Sequence, residues 1–305
     1  MKKAFIQLHI AVFLAGFTAI LGKLITLDAG MLVWYRMLLT FITLAAILIF
    51  SRQFILLSLR DSLKLFGVGT LVAMHWVAFY ASVKFSNVSV SLTCLSAIGF
   101  FTAMIEPVIQ NRKIDKYEVM LGMFAIAGIY LIFDFHPQYK LGIAFGLIGA
   151  LIASIFPVLN KGLLKQFSAR TVTLYEMFGG WLVLTLILPF YFHKVPTSAY
   201  VPGTMDWIWL LVLAWVCTVF TFILQLNALK KISSFTSNLT YNLEPIYGII
   251  FGFIIFHENR YLKNGFYFGL ALIMTAVVLQ MIRERFKIKA EQLITLRQDA
   301  HLPPQ

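Results

Sequence analysis

The sequence predicts an all-α integral membrane fold, with ten transmembrane helices arranged as two inverted five-helix repeats. Three observations carry this. Of 305 residues, 60% are hydrophobic and only 12% are charged, where a soluble domain has about 25% charged residues. Such a composition leaves too few polar residues to cover a globule, whereas a bilayer solvates an apolar exterior. The apolar residues are gathered into ten runs of about 20, the length that spans a hydrocarbon core as a helix. The basic residues, finally, cluster at alternate ends of those runs.

The runs are residues 4–26, 31–50, 63–83, 88–109, 117–135, 141–159, 171–192, 205–229, 235–256 and 264–282. Each reads as a helix, because a lone strand leaves its backbone polar groups unsatisfied in lipid, and none shows the strict alternation of a barrel strand. The first follows Met1-Lys2-Lys3. It exceeds the about 7 to 15 apolar residues of a signal peptide, and no small-residue cleavage site follows, so it reads as an uncleaved span. The connectors are short. Residues 27–30 and 84–87 are turns, and residues 52–60 are expected to lie along the interface as an amphipathic stretch.

Cytoplasmic loops are enriched in Lys and Arg. With the N- and C-termini in the cytoplasm, 18 of the 25 basic residues fall on that side. Five (Lys84, Lys140, Lys194, Arg260 and Lys263) fall on the other. Lys23 and Arg36 lie within runs near the outer face, where a long basic side chain can snorkel to the interface. A multi-pass protein of the cell (inner) membrane follows.

The net charge of +12 does not point to nucleic acid, because the basic residues sit at run ends rather than in one patch. Cys94 and Cys217 lie inside apolar runs and have neither disulfide-framework nor zinc-ligand spacing. His257-Glu258 is followed by Asn259-Arg260-Tyr261, so it is no HExxH motif, and no Walker loop is present. No enzyme, cofactor or metal site is expected.

An internal repeat divides the chain into residues 1–137, 138–282 and a cytoplasmic tail, 283–305. Lys84 and Lys230 each close a span and are 146 residues apart; Gly122 and Gly265 are 143 apart. Each half holds five spans. An odd number forces the two copies to enter the membrane from opposite sides, the arrangement typical of secondary transporters. Glu106-Pro107 lies 138 residues before Glu244-Pro245, matching neither anchor, so the two pairs are not equivalent positions.

Three stretches resemble the EamA-type family of the drug/metabolite transporter superfamily. They are Phe79-Tyr80-Ala81-Ser82-Val83-Lys84, then Asn238-Leu239-Thr240-Tyr241-Asn242-Leu243-Glu244-Pro245-Ile246-Tyr247-Gly248, and Phe256-His257-Glu258 before Gly265. His257 stands where that family more usually has glycine. The resemblance covers the chain to about Ile282. It implies a central cavity lined by the first, third, fourth, sixth, eighth and ninth helices, and a small organic solute as cargo: amino acids, related metabolites or drugs.

A charge at mid-membrane costs at least about 2.5 kcal/mol and therefore suggests function. Glu244 is mid-span and precedes Pro245, which cannot donate to the Tyr241 carbonyl. Asn238, Tyr241 and Pro245 share a helix face. Further candidate cavity residues are His75, Trp76 and Tyr80 in the third span, Thr93 and Ser96 in the fourth, and Trp215, Thr218 and Gln225 in the eighth. Small and hydroxylated residues also serve as helix-packing contacts. The aromatic residues could stack on an aromatic or cationic ligand. Glu244, Glu106 and Glu176 are candidates for coupling or gating, the last two through a salt bridge or gate with Lys161, Lys165 or Arg112, with solvation at the interface as the alternative. GxxxG patterns at 142–146, 248–252 and 265–269 read as close helix contacts within or between protomers, so a homodimer is a candidate assembly.

The expectation is an exporting secondary transporter working by alternating access, with a small-molecule substrate and membrane lipid as its partners. A sugar or nucleotide-sugar importer or exchanger would need paired cations in the spans. A membrane-embedded enzyme would need converging carboxylates, of which Glu106 with Glu176 is the best pair.

Overall fold

A computed structural model describes residues 2–232 except 112, 136 and 195–199, and then 237, 240–241, 243–276, 278–279, 282–283 and 286. Among these the regular structure is helical, with no strand. The helices are α1 (Lys2–Leu24), α2 (Ala29–Phe50), α3 (Leu59–Phe85), α4 (Val88–Leu95), α5 (Ile98–Ile109), α6 (Lys116–Phe135), α7 (Lys140–Ala153), α8 (Phe156–Leu163), α9 (Ala169–Lys194), α10 (Thr204–Ala214), α11 (Thr221–Leu229) and α12 (Glu244–Phe256), followed by α13 (Asn264–Ala276). Seven continuous or broken stretches are long and apolar enough to cross a bilayer; α12 and α13 are shorter apolar helices. Within the stretch 52–60, residues 53–58 are irregular, tied to α9 where the Tyr175 hydroxyl donates to the Ile55 carbonyl and accepts from the Leu57 amide.

Short polar turns work because their residues also start the next helix. Asp28, Ser58, Asn87 and Ser168 accept from the backbone amides of Met31, Asp61, Val90 and Thr171. Each such cap is worth about 1 kcal/mol and fixes where the chain re-enters the bundle.

The core is a large apolar cluster drawn from most of the helices. Helix α3 lies at the centre, packed on α7 and α9, while α1 packs on α11 and α12. The predicted GxxxG patterns make contacts within the chain: Gly142 abuts Ser86, Gly248 abuts Leu92 and the α1 backbone at Gly16, and Gly269 abuts Gly128.

One end of the bundle is tied at the turn between α1 and α2. Lys23 pairs with Glu258 at 2.7 Å, and the Glu258 carboxylate accepts from the Val88 and Ser89 amides at the start of α4. Lys84 donates to the Ile25 carbonyl. Asp206 at the start of α10 accepts from the Thr26 amide at 2.8 Å and from the Thr26 hydroxyl. At the opposite end, Lys161 donates to the Ile232 carbonyl at 2.6 Å and Arg283 pairs with Asp115 at 2.6 Å.

Candidate functional site

Four interruptions of regular helix meet around one cavity. Between α4 and α5, the amides of Ser96 and Ala97 reach back only three residues, to Thr93 and Cys94. Between α7 and α8, the Ser154 hydroxyl donates to the Leu151 carbonyl at 2.6 Å and Pro157 follows. Residues Trp215–Phe220 form a π turn between α10 and α11. Helix α12 begins at Glu244-Pro245, where Pro245 has no N–H to give. Broken backbone at membrane depth is tolerated where it is buried in protein or lines a cavity, and π turns concentrate at functional sites.

The cavity holds about 640 Å³ of non-atom space, the open solvent at its mouth included. Its wall comprises Ala15 and Thr18 of α1, Arg36 of α2, His75, Trp76 and Phe79 of α3, and Leu95 and Ile98 at the α4–α5 break. Ala153, Phe156 and Pro157 line it at the α7–α8 break. Cys217 of the π turn, Thr221, Phe222 and Gln225 of α11, and Tyr241 with Glu244 complete it.

Arg36 dominates this wall. It is 2% exposed, so it does not snorkel. Its Nε donates to Thr218 Oγ1 at 2.8 Å and its Nη1 to the Tyr80 hydroxyl at 2.7 Å. The guanidinium lies 3.6 Å over the Trp76 ring, close enough for a desolvated cation–π contact of about 2 kcal/mol. The π turn matters here. The Thr218 hydroxyl is satisfied by the Leu213 carbonyl five residues back, at 2.7 Å, leaving its lone pairs for Arg36. Gly22 matters equally: a Cβ there would sit 2.3 Å from the Tyr80 ring, so only glycine lets Tyr80 reach the guanidinium. No carboxylate pairs with Arg36 among the described residues.

Across the cavity, Glu244 is buried and has no hydrogen-bond partner among the described residues. The buried Tyr241 hydroxyl is likewise unpartnered. His75 Nδ1 lies 2.9 Å from the Gly149 carbonyl; a carbonyl only accepts, so Nδ1 carries the proton. Its ring sits between Phe79 and Phe156. The site therefore presents one cation, one acid and an apolar, aromatic lining.

Of the candidate residues read from the sequence, His75, Trp76, Gln225, Tyr241 and Glu244 are brought together on the wall. Tyr80 and Thr218 stand behind it as Arg36 partners. Thr93 and Ser96 are buried at the α4–α5 break, with the Thr93 hydroxyl donating to the Ser89 carbonyl. Trp215 does not face the cavity: it is 50% exposed, and its indole N–H donates to Thr43 on α2. The π turn, with i→i+5 bonding, rotates it off the face that Thr218 and Gln225 share. Asn238 lies outside the described residues. Glu106 accepts from Gln110 at 2.9 Å, and Glu176 is buried against Asn160 on α8; neither lines the cavity. Arg36 and Thr18 were missed as cavity residues. A charge flanked by Trp34-Tyr35 inside an apolar run was the available signal for Arg36. Among the described residues, no group of three or more His, Cys, Asp or Glu could hold a metal.

The EamA-like transporter family model matches the chain twice, over residues 2–134 and 140–282. The chain belongs to the EamA-like transporter family. An uncharacterized transporter of Archaeoglobus fulgidus is 21% identical over 72% of this chain and 77% of its own length. Uncharacterized transporter YetK of Bacillus subtilis is 21% identical over 92% of this chain and 88% of its own. A solved crystal structure shares the fold, with a TM-score of 0.65 at 12% identity over 93% of this chain and 98% of that one. This EamA-like protein is accordingly a multi-pass membrane transporter.

Proposed function

We propose that this chain is a secondary transporter that exports small zwitterionic or amine-bearing organic solutes, amino acids and related metabolites or drugs among them, across the inner membrane by alternating access. The observation that carries the reading is the cavity with Arg36 on one wall and Glu244 on another, neither in an ion pair among the described residues. A solute carboxylate accepts from the remaining Nη N–H groups of Arg36, a solute ammonium pairs with Glu244, and Trp76, Phe79 and Phe222 contact the apolar remainder.

Ten crossings in two inverted five-helix repeats belong to the same reading, and the two successive matches to the family model, over residues 2–134 and 140–282, support it. Helices α5 and α12 end at Ile109 and Phe256, 147 residues apart, and the breaks at Ser96 and Leu243 are also 147 apart. Interrupted helices at matching places in two halves point to a binding site at the repeat interface. The ties at the α1–α2 turn close one end, while the wall reaches Gln225, one turn from the other end of α11. The positive-inside pattern puts that second end, with both termini, in the cytoplasm. The state described is then open inward. Among the described residues Arg36 is the one Lys or Arg on the cavity wall, and Lys23 is engaged by Glu258, which disfavours phosphate-bearing sugars.

The test is solute flux in proteoliposomes over a broad metabolite panel, wild type against Glu244→Gln. Loss of transport for amine-bearing solutes, with anionic solutes spared, is expected. Unchanged amine transport by the variant overturns the assignment.

A further inference from the structure

Arg36 and Glu176 occupy the same place in the two halves. Each is the eighth residue of its helix, in α2 starting at Ala29 and in α9 starting at Ala169. Each helix is capped by the preceding residue, Asp28 and Ser168, whose side chains accept from the amide three positions on. Helix starts, caps and charged residues are all 140 positions apart. Inversion of the halves places the two residues at opposite depths: Arg36 near the end tied at the α1–α2 turn, Glu176 near the other.

Their surroundings differ. Arg36 donates to Thr218 and Tyr80, whereas Glu176 is 0% exposed and, among the described residues, neither carboxyl oxygen meets hydrogen-bond geometry. It faces the Asn160 side chain, which is also buried and whose amide nitrogen and oxygen are both unpartnered. Among the described residues, no cation comes to it from the packed elements. On α3, Lys64 pairs with Asp61 and His75 is bonded to the Gly149 carbonyl. On α2, Tyr35 reaches the Tyr200 carbonyl and Arg36 the cavity. On α8, Lys161 reaches the Ile232 carbonyl; on α9, Arg170 reaches Gln53 and Tyr175 reaches Ile55. Helix α11 carries no titratable residue.

The chemistry of the pair selects one occupant. A carboxylate can accept from the Asn160 N–H but leaves the Asn160 oxygen without a donor. A carboxylic acid donates its O–H to that oxygen while its carbonyl accepts the N–H, so a single rotamer adjustment satisfies all four atoms. A metal cation would need about six oxygen ligands, and the pair offers three. We infer that Glu176 and Asn160 form a proton-binding site apart from the solute cavity, standing in the second half where Arg36 stands in the first. The link to transport is α8, which carries Phe156 and Pro157 on the cavity wall and Asn160 three residues further on. Movement of α8 as the cavity changes sides would pull Asn160 from Glu176 and release the proton. This coupling rests on the alternating-access reading; the proton site itself does not.

The experiment is infrared spectroscopy of the full chain in lipid, titrated without any solute. At neutral pH a carbonyl band of a protonated, hydrogen-bonded carboxylic acid is expected. It should vanish in Glu176→Gln, shift in Asn160→Leu, and persist in Glu244→Gln. A spectrum unchanged by Glu176→Gln, or a Glu176 carboxyl ionised at neutral pH, overturns the proposal. If Glu176→Gln does not fold, the shift in Asn160→Leu decides. In a second arm, flux through the wild type responds to an imposed pH gradient and flux through Asn160→Leu responds less. An equal response overturns the coupling while leaving the infrared result to stand or fall alone.

Discussion

Replacing Arg36 by Lys keeps the positive charge and removes the geometry. The guanidinium spends Nε on Thr218, Nη1 on Tyr80 and its face on Trp76, and reaches toward the Cys217 carbonyl at 3.5 Å. A lysine ammonium is a compact point charge that cannot reproduce this planar fork. It will satisfy Thr218 or Tyr80 but not both while also meeting a solute carboxylate. The deficit is about one charge-assisted hydrogen bond, worth about 1.5 to 3 kcal/mol, or an about tenfold to hundredfold weaker dissociation constant at 1.4 kcal/mol per decade. The assay is calorimetric binding of amino-acid zwitterions to purified protein, with the matching decarboxylated amines as controls. Zwitterions should weaken by that factor and amines by far less. Equal losses for both, or no loss for either, refute the assignment of the carboxylate to Arg36.

Two further predictions concern the scaffold. Gly69→Ala puts a Cβ 2.0 Å from the Glu176 carbonyl oxygen, a backbone atom that cannot turn aside, whereas Gly67→Ala enters open space; thermal unfolding in detergent should show severe destabilisation for the first and a near-native midpoint for the second. Glu258→Gln removes the charge that pairs with Lys23 and caps α4, so a cysteine introduced in the α1–α2 turn should become more reactive to an impermeant thiol reagent, and unchanged labelling would count against that turn as a closure.

Much of the architecture was legible because membrane helices announce themselves as apolar runs of fixed length. The cavity was partly legible for a related reason: His75, Gln225, Tyr241 and Glu244 are polar groups at depths where lipid offers them nothing. Arg36 was misjudged since only its distance from the run end was visible. Its partners Tyr80 and Thr218 are 44 and 182 residues away, a relation that no local pattern encodes. Trp215 failed differently. Its spacing to Thr218 and Gln225 suits an α-helix, and the chain is not an α-helix there. The contact of Asn160 with Glu176 depends on how α8 leaves the break at Ser154, again a tertiary matter.

The turn between α1 and α2 is four residues long, yet Lys23, Ile25 and Thr26 around it are held by Glu258, Lys84 and Asp206 from three different helix ends. A hinge with three independent clasps opens only when all release together. Partial loosening of one helix is therefore resisted by the contacts to the other two. The same four residues set a narrow tolerance for change: a single inserted residue would throw all three clasps out of register at once.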